Sequence, residues 1–480
     1  MICDDIFAWA AWTPEKVAAV ADGQPLTYRG FADRIARARG GLAAAGWTGS
    51  GVAVVVIRTI LDCWITTLAL RSLGFTTLAV GAVNDLAHVQ ASGLRLVAAL
   101  AEEALPGLAE VCAARALPLA LLGRDGGAQL GLHAYPPPCG PGGHILQTSG
   151  TTGTYKKVLI HPSFEAGFLQ QRLDLAGASS GTVIDLFDFA LWTGGGYKSA
   201  AAAWMVGGTV IVDQRPDRHL SLRYPGITMA LMVPSMLDAL LAEPEGAFPR
   251  SETLQLSITG GALTQARIDA AKARITPHLF SGLGATETLT YGLTPLNTPE
   301  DQIWHRLVPG VAVELVDEAD RPAPVGAIGR VRVGTAGGPT SYLDDAAATR
   351  EFFRDGFFYP GDLAVMRADG RISLQGRVTD VINAGGHKIS PAPIEHRLRE
   401  ALGVSDVCLF SMPNAAGTEV IHVVVEGAAQ LDVARLTAAL RAELWGFPSA
   451  EVHQLALLPR NEAGKVLRVE TRAQVLARRG

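Results

Sequence analysis

Between Gln147 and Val158 the chain gathers the hydroxyls of Thr148, Ser149, Thr151, Thr152 and Thr154, the glycines Gly150 and Gly153, and Lys156 and Lys157. Glycine lacks the Cβ that would hold a backbone away, so such a loop can turn N–H and hydroxyl donors onto phosphate oxygens. Lys156 adds a mobile positive charge. The apolar steps His144-Ile145-Leu146 before it and Val158-Leu159-Ile160 after it predict a strand–loop–strand hairpin. The phosphate loop that opens a helix, G-x-x-x-x-G-K-[ST], does not match. Further polar sets follow: Ser281-Gly282-Leu283-Gly284-Ala285-Thr286-Glu287, Tyr359-Pro360-Gly361-Asp362, Gly376-Arg377-Val378-Thr379-Asp380 and Gly464-Lys465. Taken singly, four of these five sets have a plain structural reading. The first hairpin is a surface loop, Thr286-Glu287 a helix-start cap, Gly361-Asp362 a turn and Gly464-Lys465 a solvated turn.

The elements that must position these residues alternate in type. Gly51 to Ile57 is a continuous apolar run of strand length, Ile60 to Ser72 has helical spacing, and Thr76 to Val80 is the next strand. Gly208 to Val212, Thr228 to Val233 and Leu254 to Ile258 are further strands. Pro234 opens a helix through Ala242, and the alanine run Ala200 to Ala203 suits another. Buried strands alternating with helices predict layered α/β structure with largely parallel sheets. From Val311 the pattern becomes short strands between Asp/Gly/Pro turns (Val311 to Val316, Gly329 to Val333, Arg371 to Leu374), a β-rich subdomain. The remainder after Arg377 is α+β: helices from Pro393 to Ala401 and Asp432 to Trp445, and strands near Val407 and over Ile421 to Val425.

At 480 residues the chain exceeds one hydrophobic core. With 48% apolar and 18% charged residues it has a globular composition. A net charge of −5 gives no reason to invoke nucleic acid or an anionic membrane surface. Cys3, Cys63, Cys112, Cys139 and Cys408 stand far apart without a C-x-x-C pair, so neither a cysteine zinc site nor a disulfide framework is indicated, and a reducing cytoplasm fits. Asp4 and Asp5 stand where a signal peptide carries positive charge. Arg58, Asp62 and Arg71 interrupt the most apolar stretch, so no membrane span is expected.

In order and spacing, the five polar sets resemble the motifs of the adenylate-forming superfamily: acyl-CoA synthetases, adenylation domains of peptide synthetases and luciferases. The resemblance runs from Leu26-Thr27-Tyr28 to Lys465-Val466-Leu467-Arg468. It implies a large N-terminal domain (1–378) that binds ATP and the acid, then a mobile α+β lid domain (379–480) pivoting at Thr379. It also implies roles for particular residues. Thr148, Ser149, Gly150, Thr151, Thr152, Gly153 and Lys156 would hold the ATP phosphates. Thr286 would bind the α-phosphate, and Glu287 would ligate Mg²⁺. Asp362, with Arg377 in support, would anchor the ribose. Lys465 would neutralise charge at the α-phosphorus. Gly260, Gly261 and Ala262, with Gly282, Leu283, Gly284 and Ala285, would wall the adenine and acyl pocket, and Gly385, Gly386 and Lys388 would approach the CoA channel. The implied reaction is activation of a small carboxylic acid to acyl-AMP, then transfer to CoA. The alternative acceptor is a carrier-protein thiol in trans or an amine. Oligomeric state stays open, a homodimer included.

The chain also departs from that pattern. Tyr155 replaces the loop Pro, Leu283 the adenine-stacking Tyr, and Pro360 the Thr before Gly-Asp. Leu191-Trp192-Thr193-Gly194 stands in place of F-H-x-x-G. Gln302-Ile303-Trp304-His305 replaces a small-residue loop, which puts Trp304 either in the acyl pocket or in the core. Thr379 replaces the pivot Asp or Lys, and Pro393 a Glu at the start of the lid helix. These changes bear on the substrate and on the second half-reaction, leaving the metal and transition-state groups in place. Lys198, on the helix after Gly194-Gly195-Gly196-Tyr197, is read as solvent-facing or as capping charge elsewhere, with the acyl pocket as the alternative.

Overall fold

The structure is a computed structural model. It describes residues 2–47, 50–81, 83, 86, 96–101, 105–114, 117, 119–121, 142–148, 156–187, 189–384, 387–413, 419–427, 432–443, 450–460 and 466–478.

Two sheets build the N-terminal part. The eight-stranded sheet runs in the order Thr290–Pro295, Leu279–Gly284, Gln255–Thr259, Met229–Met232, Val183–Asp185, Thr209–Val212, Val17–Ala21, Gln24–Thr27. Its inner strands are parallel and its two edge pairs antiparallel. The six-stranded sheet runs Leu119–Leu121, Leu96–Ala101, Val52–Val55, Thr76–Ala79, His144–Thr148, Lys156–Ile160. It is parallel except for its final hairpin, where Thr148 pairs with Lys156. The expected hairpin is therefore present. Strands such as Val52–Val55 are buried along their whole length, as continuous apolar runs require when both faces are covered.

Helices Ile60–Ser72, Pro162–Ala176 and Gly194–Met205 share one core with both sheets: Val55, Leu146 and Val158 from one, Ala19, Ile184 and Val212 from the other. Inside it lies a charged knot. The Arg71 guanidinium donates to both Glu165 oxygens (3.1 and 2.7 Å), to the Tyr197 hydroxyl (2.6 Å) and, through Nε, to the Gly142 carbonyl (2.8 Å). Tyr197 in turn donates to Glu165. Arg71 is fully buried. The His144 ring stacks on Tyr197 with 4.4 Å between centroids and a 7° interplanar angle. Burial and the nearby Arg71 charge push the His144 pKa down to about 3, so the ring is neutral. Its Nε2 faces the Leu191 carbonyl at 3.3 Å and its Nδ1 the Thr77 hydroxyl at 2.9 Å, which fixes Nε2 as the donor.

Residues 313–377 form the β-rich unit, a six-stranded sheet whose small core of Leu315, Val331, Val333, Ala364 and Ile372 also takes in Tyr291 from the eight-stranded sheet. The C-terminal part has the three-stranded sheet Val407–Pro413, Glu419–Glu426, Glu451–Leu455. Helices Pro391–Leu402 and Val433–Glu443 contribute to the core on one face, and Arg468–Ala477 covers the other through Val475. Helices Ile60–Ser72 and Pro234–Ala242 keep the bounds read from the sequence, and most other ends differ by one to three residues. Among the described residues no helix is long and apolar enough to cross a membrane. The thiols of Cys3, Cys63, Cys112 and Cys408 are buried; Cys139 lies outside the described residues.

Candidate active site

The carboxyl ends of the parallel strands place the glycine-rich segments side by side. Gln255–Thr259 ends at Gly260-Gly261-Ala262, and its neighbour Leu279–Gly284 ends at the turn that carries Ala285, Thr286 and Glu287. Ligands of open α/β sheets collect at such strand ends. The turn returns at Leu289, whose φ of 105° is strained for a branched residue. The amino end of helix Gly194–Met205 presses on the same turn. A Cβ at Gly194 would lie 2.7 Å from the Thr286 hydroxyl, and one at Gly196 would lie 2.2 Å from the Ala190 carbonyl oxygen. Only glycine permits that approach. Thr193 caps the helix by accepting from the Gly196 N–H at 3.1 Å.

Glu287 is buried and accepts a hydrogen bond from the Tyr342 hydroxyl at 2.6 Å. Burial and the Glu287 charge together hold the Tyr342 hydroxyl well above its ordinary pKa, so it stays a donor. The segment bearing Tyr342 is tied to the hairpin, since the Leu343 N–H donates to the Lys157 carbonyl at 2.8 Å. Lys156 lies over the rings of Phe352 (3.4 Å to the centroid) and Tyr342 (5.3 Å). Burial lowers the Lys156 pKa, partly offset by the nearby acids Glu351, Glu287 and Asp345. Hairpin lysine and buried carboxylate therefore meet through one tyrosine.

A second carboxylate is reached from the same turn. Tyr291, two residues beyond Leu289, hydrogen-bonds Asp362 and is itself nearly fully buried. Asp362 pairs with Arg377 across adjacent strands (Nε to Oδ1 2.7 Å), and Arg377 also donates to the Pro360 carbonyl. Three residues on, Asp380 faces Arg468 at 3.6 Å, and Arg468 donates to Glu395 (2.7 Å) and to the Leu409 carbonyl (2.9 Å). Thr379 between them is exposed.

Two readings of the sequence need correction. Lys198 is not solvent-facing: it is 4% exposed, and its ammonium donates to the carbonyls of Thr286 (2.8 Å) and Ala285 (3.1 Å). It holds the backbone of the turn from beneath, with the Phe168 ring 5.1 Å away. Trp304 is half-buried with the Arg367 guanidinium 4.8 Å over its ring, beside Glu300, so it is not a core residue. A cleft of about 630 Å³ opens close by, lined by Asn297, Glu300, Asp301, Arg306 and Arg371 among others; none of the expected site residues lines it. Leu191 is buried against His144, while the Trp192 indole packs on Gly81, where a Cβ would lie 2.9 Å from it.

Ser149, Gly150, Thr151, Thr152, Gly153, Gly385, Gly386 and Lys465 lie outside the described residues. Thr148 and Lys156 bracket the first group as a strand pair, Lys388 pairs with Asn383 in the backbone beside the second, and Lys465 falls between the paired residues Arg460 and Val466. Tyr342 and Tyr291 are the residues that sequence reading missed. Tyr291 left a signal, an aromatic within a strand, whose hydroxyl must find a partner once buried.

A family profile described as "AMP-binding enzyme" matches residues 137–343. A fatty acid–[acyl-carrier-protein] ligase from Streptomyces coeruleorubidus is 29% identical over 352 residues, covering 68% of this chain and 66% of the relative's length. A feruloyl-CoA synthase from Amycolatopsis sp is 27% identical over 488 residues, 96% of each chain. Among solved structures, an amide bond synthetase from Marinactinospora thermotolerans superposes with a TM-score of 0.83 over 99% of both chains at 22% identity. An O-succinylbenzoate coenzyme A synthetase from Bacillus subtilis, in complex with ATP and magnesium ion, superposes with a TM-score of 0.82 at 18% identity, over 98% of this chain and 99% of that one. At these identities the structural likeness speaks for the fold.

Proposed function

The chain belongs to the adenylate-forming superfamily of AMP-binding enzymes, and from that premise we propose that it activates a small carboxylic acid with ATP and passes the acyl group to CoA. The observation that carries this reading is the cluster in which Lys156, Tyr342 and Glu287 meet beside the turn of Thr286.

In the first half-reaction a carboxylate oxygen of the acid attacks the α-phosphorus of ATP, and the bond to pyrophosphate breaks with its electrons leaving on pyrophosphate. Lys156 and the hydroxyl loop from Thr148 to Gly153 neutralise the departing phosphates. The Thr286 hydroxyl, held on a turn braced by Lys198, donates to the α-phosphate. Asp362, acceptor-only when ionised, receives the ribose hydroxyls while Arg377 fixes its orientation. Lys465 places an ammonium where charge builds up. Glu287 fits a magnesium role, being a buried carboxylate with acceptor capacity beyond its bond from Tyr342. Bound there, the ion would offset phosphate charge. In the second half-reaction the CoA sulfur attacks the acyl carbon, AMP leaves with the electrons of the carbon–oxygen bond, and the thiol proton passes to solvent.

The domain division at 378/379, with a lid bearing Lys465, Gly385, Gly386 and Lys388, belongs to this proposal, as does a cytoplasmic location. A second reading keeps adenylation and changes the acceptor to a carrier-protein thiol or an amine. It is favoured by the carrier-protein ligase and the amide bond synthetase among the similar proteins.

A panel of carboxylic acids assayed for pyrophosphate release, each with and without CoA, separates the readings. Release that depends on the acid, with thioester formed when CoA is added, is expected. Release without any thioester would move the assignment to the second reading, and no release with any acid would overturn both.

Replacing Tyr342 with Phe removes the hydroxyl that donates to Glu287. The magnesium concentration for half-maximal pyrophosphate release should rise about tenfold, as losses of outer partners generally do. An unchanged magnesium dependence would remove Tyr342 from the site.

A further inference from the structure

On the C-terminal sheet, strands Glu419–Glu426 and Glu451–Leu455 run parallel with His422 opposite Glu451 and Val424 opposite His453. A strand period of two puts Glu451 and His453 on the face that His422 occupies. Three different donors converge there. His422 Nδ1 lies 2.9 Å from His453 Nε2 and 3.8 Å from Glu451 Oε2, and one ligand atom from each residue falls within 4.8 Å of the others. His422 is buried, and its ring is held by stacking on Phe410 at 5.5 Å and 14°. Glu451 and His453 are half-exposed, so the cluster opens on one side. None of the residues assigned to adenylation belongs to it.

From this geometry we propose that His422, His453 and Glu451 form a binding site for a divalent transition cation of the zinc class, linking the two strands. Two imidazoles and a carboxylate, with a position left for water, are a donor set that zinc accepts in tetrahedral geometry. At zinc–nitrogen bonds of about 2.05 Å and tetrahedral angles, the two nitrogens would stand about 3.4 Å apart. The present 2.9 Å is the span of a shared proton, so the rings part by roughly half an ångström as the cation replaces that proton. Two half-exposed ligands on a strand edge can supply so small a shift.

The test uses the full chain without a polyhistidine tag, stripped with EDTA and titrated with zinc chloride against a chromophoric chelator. The wild type should bind one zinc that survives gel filtration, and its melting temperature should rise with zinc. H453Q and E451Q, each removing one half-exposed ligand, should bind at least about a hundredfold more weakly and lose the zinc-dependent rise. Circular dichroism of each variant checks that it is folded. Cobalt(II) should give the strong visible absorption of a four-coordinate site in the wild type and lose it in the E451Q/H453Q double variant. If wild type retains no more zinc than that double variant, or the variants bind equally well, the site does not exist.

Discussion

Replacing Arg71 with Met should lower the unfolding free energy of the N-terminal part by about 3–5 kcal/mol, the usual result of leaving one partner of a buried ion pair behind. Glu165 would keep its place in the core with the Tyr197 hydroxyl as its remaining named donor. The Gly142 carbonyl would lose the Nε bond. Urea unfolding followed by tryptophan fluorescence is the right measurement. Trp64 stacks on Tyr197 (5.2 Å, 17°) and meets Trp204 edge-on, so indoles sit within the affected core. The double replacement R71M/E165L, which removes both charges, should recover most of the loss, because the desolvation cost goes with them. A single variant as stable as the wild type would show that the knot contributes little; a double variant no better than the single would place its value in shape rather than charge.

Replacing Lys465 with Ala should slow acid-dependent ATP–pyrophosphate exchange by about 10²–10³-fold, the range seen when one transition-state donor is removed. ATP binding should change little, since the assigned role concerns charge that develops only as the α-phosphorus is attacked. Transfer from a synthetic acyl adenylate to CoA breaks a carbon–oxygen bond instead, and should keep most of its rate. Comparing exchange with transfer in one preparation separates a catalytic loss from misfolding. Undiminished exchange would dismiss Lys465 from the first half-reaction.

What could be read from the residues depended on how local the signal was. Helix Ile60–Ser72 came out with the right bounds because its helical spacing is a local signal carried by the segment itself. The hairpin from His144 to Ile160 was legible for the same reason. Lys198 was misread by treating lysine as a surface residue. Yet it is the sole charge in a helix otherwise made of Gly, Ala, Ser and aromatic or apolar residues, and such a helix is buried on all sides. Trp304 was placed by motif position alone, and motif position carries no information on what an inserted aromatic packs against. Tyr342 lies 55 positions from Glu287, and nothing near either residue announces their bond. The knot of Arg71, Glu165 and Tyr197 spans three helices and was equally invisible; a charge inside an apolar helix was taken only as evidence against a membrane span.

The stretch from Arg377 to Asp380 has a consequence for any swivelling of the C-terminal part. Arg377 is clamped to Asp362 and Pro360, and Asp380 is held through Arg468 to Glu395. Both ends are thus fastened, one to each side. A rigid reorientation that keeps these two attachments intact can be absorbed only by the torsions of Val378 and Thr379. Its axis must then pass close to those two peptide units, and its range is set by how far a β-branched pair can turn before its own side chains collide.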